Sequence, residues 1–234
     1  DSFAGKHVFI TGVTGFVGKV LLAMLAARVP TVRRVSVLVR TNREYANARQ
    51  RFDAVVARSE PFDAVAKTLG REPLKTWCDD VVNVVKGDIS LERLGLSEAA
   101  YHELTKNDPV DLILHCAGNV NFNPPLDQAL MVNSMGVAHK VEFARDAGCP
   151  LVHMSTCFVV GRKSGSIDEN RPIVGYAPND RQFDPERELA DAVFLAGEVR
   201  RRADAQALEC RFLDEAKKRL TAKGLDYEDP KRLQ

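Results

Sequence analysis

The sequence offers little that would tie the protein to a membrane, to nucleic acid or to an oxidising compartment. No apolar run approaches the roughly 18 residues needed to cross a bilayer, and a net charge of +1 creates no global attraction to nucleic acid or to an anionic surface. The five cysteines include no C-x-x-C pair, and their odd number argues against a disulfide framework. We therefore expect a reducing, cytoplasmic setting, no transmembrane segment and no nucleic-acid partner.

Five short runs rich in Val, Ile and Leu recur along the chain, and a longer helical or mixed stretch follows each of them. They occupy residues 7–11, 35–39, 81–86, 111–117 and 151–155. Because most of them lack polar alternation, they are typical of strands that are covered on both faces. Strands that alternate with helices form βαβ units with right-handed crossovers. The sequence therefore predicts an α/β fold with a doubly wound parallel sheet.

The helical segments between these strands differ in length. Residues 19–28 and 133–146 are predicted helices that follow the first and fourth strands. An unusually long insert, residues 41–80, separates the second strand from the third, and within it residues 44–58 and 61–69 have a helical pattern.

Beyond the fifth strand the pattern changes. Residues 160–185 are rich in Gly, Pro, Asp and Asn and are predicted to be loop, whereas residues 186–223 are charged and have helical periodicity. The second stretch is either an amphipathic helix at a membrane surface or a helix or helix pair packed on the domain. We expect a nucleotide-binding domain over residues 1–180 and a C-terminal helical segment over residues 181–234.

A glycine-rich loop directly follows the first strand and opens the first helix. Gly12 permits a tight turn, Gly15 allows a pyrophosphate to approach the backbone, and Gly18 lets the helix pack closely on the sheet. The helix N-terminus then presents N–H groups and a partial positive charge to the phosphates. A purely structural glycine turn is the alternative. The predicted dinucleotide site contains Thr11, Gly12, Thr14, Gly15, Phe16, Val17 and Gly18.

An arginine, Arg40, ends the second strand, at the position that faces the adenosine ribose. An acidic residue there binds the 2′-hydroxyl of NAD, whereas an arginine accommodates the 2′-phosphate of NADP. The sequence therefore predicts NADP(H), with Arg43 as a second contact. The alternative is a plain exposed arginine.

Two residues after the third strand are predicted to flank the adenine. The Asp88 carboxylate can accept a hydrogen bond from the adenine amino group, and Ile89 can pack on the ring. Alternatively, Asp88 caps a turn.

Five motifs together resemble one protein family. They are T-G-V-T-G-F-V-G (11–18), L-V-R (38–40), K-G-D-I (86–89), H-C-A-G-N-V-N-F (115–122) and H-M-S-T (153–156). With them, residues 5–162 resemble the extended short-chain dehydrogenase/reductases, which have an NAD(P)-binding Rossmann fold. The H-x-A-x-x-V-x-F pattern and the long insert are similar to the fatty acyl-CoA reductase and thioester reductase branch in particular.

The resemblance implies which residues surround the reacting end of the cofactor. Thr156 would be the catalytic hydroxyl that holds the substrate carbonyl; without the resemblance, Ser155 and Thr156 would be ordinary strand-end hydroxyls. Asn119 would lie near the nicotinamide ribose, and Asn133 would support it by hydrogen bonding. The residues expected near the cofactor here are Ala117, Gly118, Asn119, Asn133 and Ser155.

Two histidines lie within the predicted fourth and fifth strands but do not indicate a metal site. His115 has no second ligand at a suitable spacing. We therefore expect His115 and His153 to belong to the sheet core, and we predict no metal.

The chain departs from the family's catalytic Y-x-x-x-K motif. Tyr45 and Tyr101 precede the fifth strand, and Tyr176 has no lysine four residues later. Tyr227 and Lys231 match the spacing, but Pro230 between them fits only the first turn of a helix. In the family a helical insertion precedes the catalytic tyrosine, so we expect the true pair to lie beyond residue 234.

The resemblance implies hydride transfer from NADPH to a fatty acyl thioester of coenzyme A or acyl carrier protein. The product would be an aldehyde, or an alcohol after a second transfer. Two other functions fit the motifs: a nucleotide-sugar enzyme of the same fold, and a non-catalytic NADP-binding module. Peripheral membrane contact and the oligomeric state are left open.

Overall fold

The computed structural model describes residues 2–161, 164–166, 168, 170, 184–204 and 206–222. Residue contacts divide the chain into two units, Asp1–Val159 and Val160–Gln234. The predicted domain boundary at residue 180 lies outside the described residues, as do Tyr176, Tyr227 and Lys231 and most of the predicted loop.

A parallel sheet of five strands lies at the centre of the first unit. Its strands are β1 (His7–Thr11), β2 (Arg34–Val39), β3 (Val82–Lys86), β4 (Leu112–His115) and β5 (Leu151–His153). They lie in the order β3-β2-β1-β4-β5, and every neighbouring pair is parallel. The predicted doubly wound α/β fold is confirmed, although β4 and β5 end earlier than predicted.

Helices connect the strands of the first unit. In the first unit they are α1 (Phe16–Arg28), α2 (Ala48–Val55), α3 (Glu60–Leu69), α4 (Arg71–Val81), α5 (Glu98–His102), α6 (Leu126–Ala129) and α7 (Gly136–Ala147). A π-helical turn, Glu103–Asn107, continues α5, and a second, Leu130–Met135, joins α6 to α7. The chain therefore runs as one helical stretch from α6 through α7.

The insert contains three helices where the sequence predicted two. Helix α4 follows α3 at Gly70, whose φ of 91° turns the chain between the two helices without a loop. Its inward face carries the buried Leu74 and Cys78, four residues apart, with Trp77 and Val81 partly buried beside them. Val81, which was predicted to start the third strand, is instead the last residue of α4.

The core lies on both faces of the sheet, because successive side chains along a buried strand point to opposite faces. Along β1, Val8 and Ile10 pack in a cluster with α1 and the insert helices. Phe9 between them packs in a second cluster with α5 and α7, where its ring centroid lies 5.0 Å from that of Phe143.

The second unit contains the helix pair α8 (Pro185–Ala203) and α9 (Gln206–Ala222), so the predicted C-terminal helical segment is confirmed. Asp184 caps α8 by accepting hydrogen bonds from the N–H groups of Glu186 and Arg187 at 3.0 and 3.2 Å. Within the described ranges no helix is long and apolar enough to cross a membrane. The cytoplasmic location and the peripheral membrane contact stay predictions.

Candidate dinucleotide-binding site

The predicted site residues gather along one edge of the sheet. Because all strands are parallel, their carboxyl ends share that edge, and Thr11, His115 and His153 lie side by side at the ends of β1, β4 and β5. The chain leaves β1 toward β2 and β3 on one side and later adds β4 and β5 on the other. A crevice at such a topological switch point is where α/β sheets bind ligands.

The turn between β1 and α1 is packed so closely that two of its positions require glycine. Gly12 has a φ of 81°, and a Cβ atom on it would lie 2.6 Å from the backbone nitrogen of Ala117. A Cβ atom on Gly18 would lie 2.3 Å from the Gly12 carbonyl oxygen. These contacts hold the start of α1 against the ends of β1 and β4.

Gly15 has the opposite environment, because it faces solvent. A Cβ atom on it would meet only the Gly12 carbonyl oxygen, at 3.3 Å. As the N-cap residue of α1 it has no side chain to bond the N–H groups of the first turn, and Phe16 beside it is 80% exposed. The outer face of the loop is therefore open to a phosphate group, as a dinucleotide site requires.

Arg40 and Asp88 lie close together at the carboxyl ends of β2 and β3, the two strands on one side of β1. Their side chains lie 3.7 Å apart, from Nη1 to Oδ2, and Arg40 is largely exposed. Arg51 on α2 donates a hydrogen bond to the Arg40 carbonyl oxygen. The predicted adenosine-binding residues Arg40 and Asp88 are thus close together, and Arg51 is a second cationic side chain at this place.

The turn after β3 also uses Asp88 and Ile89 structurally. Asp88 Oδ1 accepts hydrogen bonds from the backbone nitrogen and the hydroxyl of Ser90, at 2.9 and 2.7 Å. This is the turn-capping role that the sequence left open, and it leaves Oδ2 toward Arg40. Ile89 is 8% exposed and packs in the second core cluster. The adenine contacts of both residues stay predictions.

Asn119 and Asn133 form a reciprocal pair at the carboxyl end of β4. The Asn133 amide oxygen accepts from the Asn119 backbone nitrogen at 2.7 Å, and its amide nitrogen donates to the Asn119 carbonyl oxygen at 3.0 Å. Asn133 lies in the π-helical turn before α7, a distortion that is frequent at functional sites. The loop that holds Ala117 and Gly118 is therefore anchored from the neighbouring helix.

Ser155 and Thr156 follow β5 and are exposed at the same edge. The Thr156 hydroxyl oxygen accepts a hydrogen bond from the Phe158 backbone nitrogen at 3.2 Å, so its hydrogen remains able to donate. Phe158 forms an edge-to-face pair with Phe122, with 6.3 Å between ring centroids. Both rings are exposed, 71% and 87%, next to the predicted catalytic hydroxyl.

A buried polar chain below this edge was missed by the sequence analysis. The Thr11 hydroxyl lies 2.6 Å from His115 Nδ1, and His115 Nε2 lies 2.7 Å from Lys140 Nζ. Burial lowers the pKa of Lys140 to about 7, and burial together with the Lys140 amine lowers the pKa of His115 to about 3. The helical spacing could have indicated that Lys140 is buried, since it lies four residues after Gly136 and three before Phe143, and both of these are buried.

One prediction about the histidines is wrong. His115 is buried, but His153 is exposed. The reason is that β5 forms the edge of the described sheet, so its residues are covered less than those of β4. The two rings nevertheless stack, with centroids 4.9 Å apart.

The fold and this edge define a class of protein: a dinucleotide-binding Rossmann domain with a glycine-rich loop. A family model described as male sterility protein, of the NAD-binding type, matches residues 10–217. The chain therefore belongs to this family. The match confirms its predicted place in the reductase branch of the extended short-chain dehydrogenase/reductases.

Individual relatives agree with this placement. Probable fatty acyl-CoA reductase 4 of Arabidopsis thaliana is 32% identical over 74% of this chain and 35% of its own length. Probable fatty acyl-CoA reductase 5 of the same plant is 30% identical over 79% of this chain and 38% of its own. The crystal structure of the terminal R domain from the myxalamid PKS-NRPS biosynthetic pathway has 29% identity and a TM-score of 0.56, covering 72% of this chain and 40% of that one. The chain thus spans between a third and two fifths of these proteins.

Proposed function

We propose that the protein is an NADPH-dependent reductase of fatty acyl thioesters, and that this chain supplies its cofactor-binding part. The observation that carries the proposal is the family match combined with the edge of the sheet, where an open glycine loop and an exposed Thr156 lie on the same side. Two relatives whose names describe fatty acyl-CoA reductases support this substrate class.

The choice of NADPH over NADH rests on Arg40. Its exposed guanidinium group, next to the end of β2, is available to a 2′-phosphate, and Arg51 donates to the backbone carbonyl oxygen of the same residue. Asp88 Oδ2 lies on one side of the Arg40 guanidinium group, while Asp88 Oδ1 accepts the hydrogen bonds from Ser90.

We assign the chain's residues the following roles. The N–H groups at the start of α1 bind the pyrophosphate, and the Asn119–Asn133 pair orients the loop near the nicotinamide ribose. NADPH supplies the hydride. The Thr156 hydroxyl donates a hydrogen bond to the thioester carbonyl oxygen, where negative charge develops as the hydride arrives. The exposed pair Phe122 and Phe158 offers an apolar surface to the acyl chain.

For the proton donor two proposals stand. One is the pair Tyr227 and Lys231, and the other is a Y-x-x-x-K pair elsewhere in the natural protein. Turnover by the 234-residue chain alone would support the first. Turnover only by the natural-length polypeptide would support the second.

The test is NADPH oxidation with palmitoyl-CoA, followed in the natural-length polypeptide. We expect turnover, and we expect Thr156→Val to lower kcat by about 100-fold, as for loss of one oxyanion donor. Thr156→Ser should retain most activity because it keeps the hydroxyl. Thr68→Val, at an exposed position on α3, is the matched control and should leave kcat unchanged.

Two results would contradict the proposal. Turnover of a UDP-sugar in place of acyl-CoA would favour the nucleotide-sugar enzyme. Binding of NADPH with no reaction on any acyl thioester would favour the non-catalytic module.

A further inference from the structure

Lys140 is a lysine whose side chain lies inside the core of the first unit. Its side chain is fully buried on the inward face of α7. In the part of the chain that the structure describes, no carboxylate lies within ion-pair distance of it. A buried amine without a counter-charge destabilises the folded protein in its charged form. Methionine or leucine would fill such a position without that penalty, so the amine calls for a functional explanation.

The only described hydrogen-bond partner of the Lys140 amine is His115 Nε2, at 2.7 Å. The other ring nitrogen of His115 lies 2.6 Å from the hydroxyl of Thr11. Thr11 is the last residue of β1 and directly precedes Gly12, the tight turn of the glycine-rich loop. The three side chains therefore form a continuous chain from the interior of α7 to the base of that loop.

The two hydrogen bonds of His115 are coupled because a neutral imidazole carries one N–H group. If Lys140 is an ammonium group, it donates to Nε2. The ring hydrogen is then on Nδ1, which donates to Thr11 and releases the threonine hydroxyl hydrogen toward another acceptor. If Lys140 is a neutral amine, it can accept from Nε2–H, and Thr11 donates to Nδ1. The protonation state of Lys140 therefore determines whether the Thr11 hydroxyl, below the glycine loop, donates to His115 or to another acceptor.

Few other titratable or charged groups lie near enough to Lys140 to influence its protonation. From the strands, the titratable groups facing Lys140 are His115 on β4 and His153 on β5. Two turns pack against α7, the 3-10 turn Glu92–Gly95 and the π-helical turn Glu103–Asn107. Their charged residues are all exposed, and they are Glu92, Arg93, Glu103 and Lys106. A dinucleotide pyrophosphate at the loop would attract the Thr11 hydroxyl hydrogen, which is released only when Lys140 is an ammonium group, so cofactor binding favours the ammonium form through Thr11.

We propose that Lys140 and His115 are positioning residues for the dinucleotide, which act through the Thr11 hydroxyl, so that cofactor affinity depends on whether Lys140 carries a proton. This inference rests on the proposed dinucleotide binding and deepens it. The lowered pKa of Lys140, about 7, means that both states are populated near neutral pH.

A double-mutant cycle tests the proposal. The dissociation constant of NADPH is measured at pH 6 and at pH 8.5 for the wild type, Lys140→Met, Thr11→Val and the double variant. At pH 6 we expect Lys140→Met to weaken binding by roughly tenfold, the equivalent of one pKa unit. At pH 8.5 its effect should nearly vanish. In the Thr11→Val background it should have no further effect at either pH. Comparing variants at the same pH cancels the titration of the 2′-phosphate.

The controls separate positioning from folding. Lys67→Met, at an exposed position on α3, should bind NADPH like the wild type. Thermal unfolding of each variant shows that it is folded. In the wild type, the ¹⁵N shifts of the His115 ring should change with a midpoint near pH 7 although the ring itself stays neutral, and Lys140→Met should abolish this change.

The possible failures are distinguishable. If the wild type binds no NADPH at any pH, the proposed function is wrong, while the ¹⁵N titration still reports on the chain of hydrogen bonds. If the wild type binds NADPH but Lys140→Met has the same effect at both pH values, or an undiminished effect without Thr11, this inference is overturned.

Discussion

At Arg40 the guanidinium group lies 3.7 Å from the Asp88 carboxylate, so the residue predicted to select NADPH is also oriented by its neighbour. The arginine side of this ion pair is largely exposed and the distance is long, and such pairs contribute only about 0–1 kcal/mol to stability. A charge-assisted contact with a 2′-phosphate contributes more, about 1.5–3 kcal/mol. Replacing Arg40 should therefore change the affinity for NADPH much more than the free energy of unfolding.

Arg40→Asp should weaken NADPH binding by about 10- to 150-fold, the equivalent of that contact energy. NADH, which lacks the 2′-phosphate, should lose much less. Fluorescence titration with both cofactors measures the two dissociation constants. Arg58→Asp, on an exposed part of the same insert, is the control for a change of charge alone. Equal losses for NADPH and NADH would disprove the 2′-phosphate assignment.

Individual site residues differ in how far the sequence revealed them. Arg40 and Thr156 were proposed from the sequence because each directly follows or ends a predicted strand next to a recognisable motif. Lys140 was not, because a lysine in a helix is usually exposed, and only its helical register with Gly136 and Phe143 points inward.

At the scale of elements, the glycine-rich loop and α1 behave as one unit with two faces. The inner face, at Gly12 and Gly18, is in contact with the sheet ends, and the outer face, at Gly15, is open. We therefore expect packing and cofactor binding to depend on different glycines of the same motif.

Alanine substitutions should separate these two roles. Gly18→Ala places a Cβ atom 2.3 Å from backbone, so it must displace α1 and should destabilise the protein by about 1–3 kcal/mol. That corresponds to a fall in Tm of about 2–4 °C per kcal/mol. Gly15→Ala should leave Tm nearly unchanged but weaken NADPH binding, because its methyl group occupies the phosphate approach. Calorimetry and cofactor titration check both, and the reverse pattern would contradict the assignment of the two faces.

The insert shows where element prediction failed. Helix α4 was missed although Leu74, Trp77, Cys78 and Val81 face inward at helical spacing, because Val81 was assigned to the third strand and because α4 follows α3 at Gly70 without a polar loop. The π-helical turn at Leu130–Met135 was equally invisible, since no local pattern distinguishes it from an α-helix.

At the scale of the whole molecule, buried neutral bases make stability depend on pH. Between about pH 7 and pH 10 the unfolded chain binds a proton at Lys140 that the folded protein does not, since the pKa is lowered to about 7. The free energy of unfolding should therefore rise with pH in this window. His115, with a pKa of about 3, should make it fall as the pH drops below about 6.5.

Lys140→Met should remove the rise in the free energy of unfolding between about pH 7 and pH 10. Urea unfolding at pH 6, 7, 8 and 9 should give a wild-type slope of at most about 1.4 kcal/mol per pH unit above pH 7, and a flatter curve for the variant. At pH 6 the variant should be the more stable protein, because it contains no buried charge. Identical slopes for the two proteins would show that Lys140 is not a neutral buried amine.

The sequence alone determined the parallel α/β fold, the glycine-rich loop and the family. These properties are encoded locally, in apolar runs, in glycines at required spacings and in the residues that follow each strand. Only the tertiary structure decided that Arg40 meets Asp88, that Asn133 holds Asn119, and that Thr11, His115 and Lys140 form one buried chain. Burial and pairing between residues distant in the chain arise from packing, and packing is what moves the pKa of Lys140 away from its ordinary value.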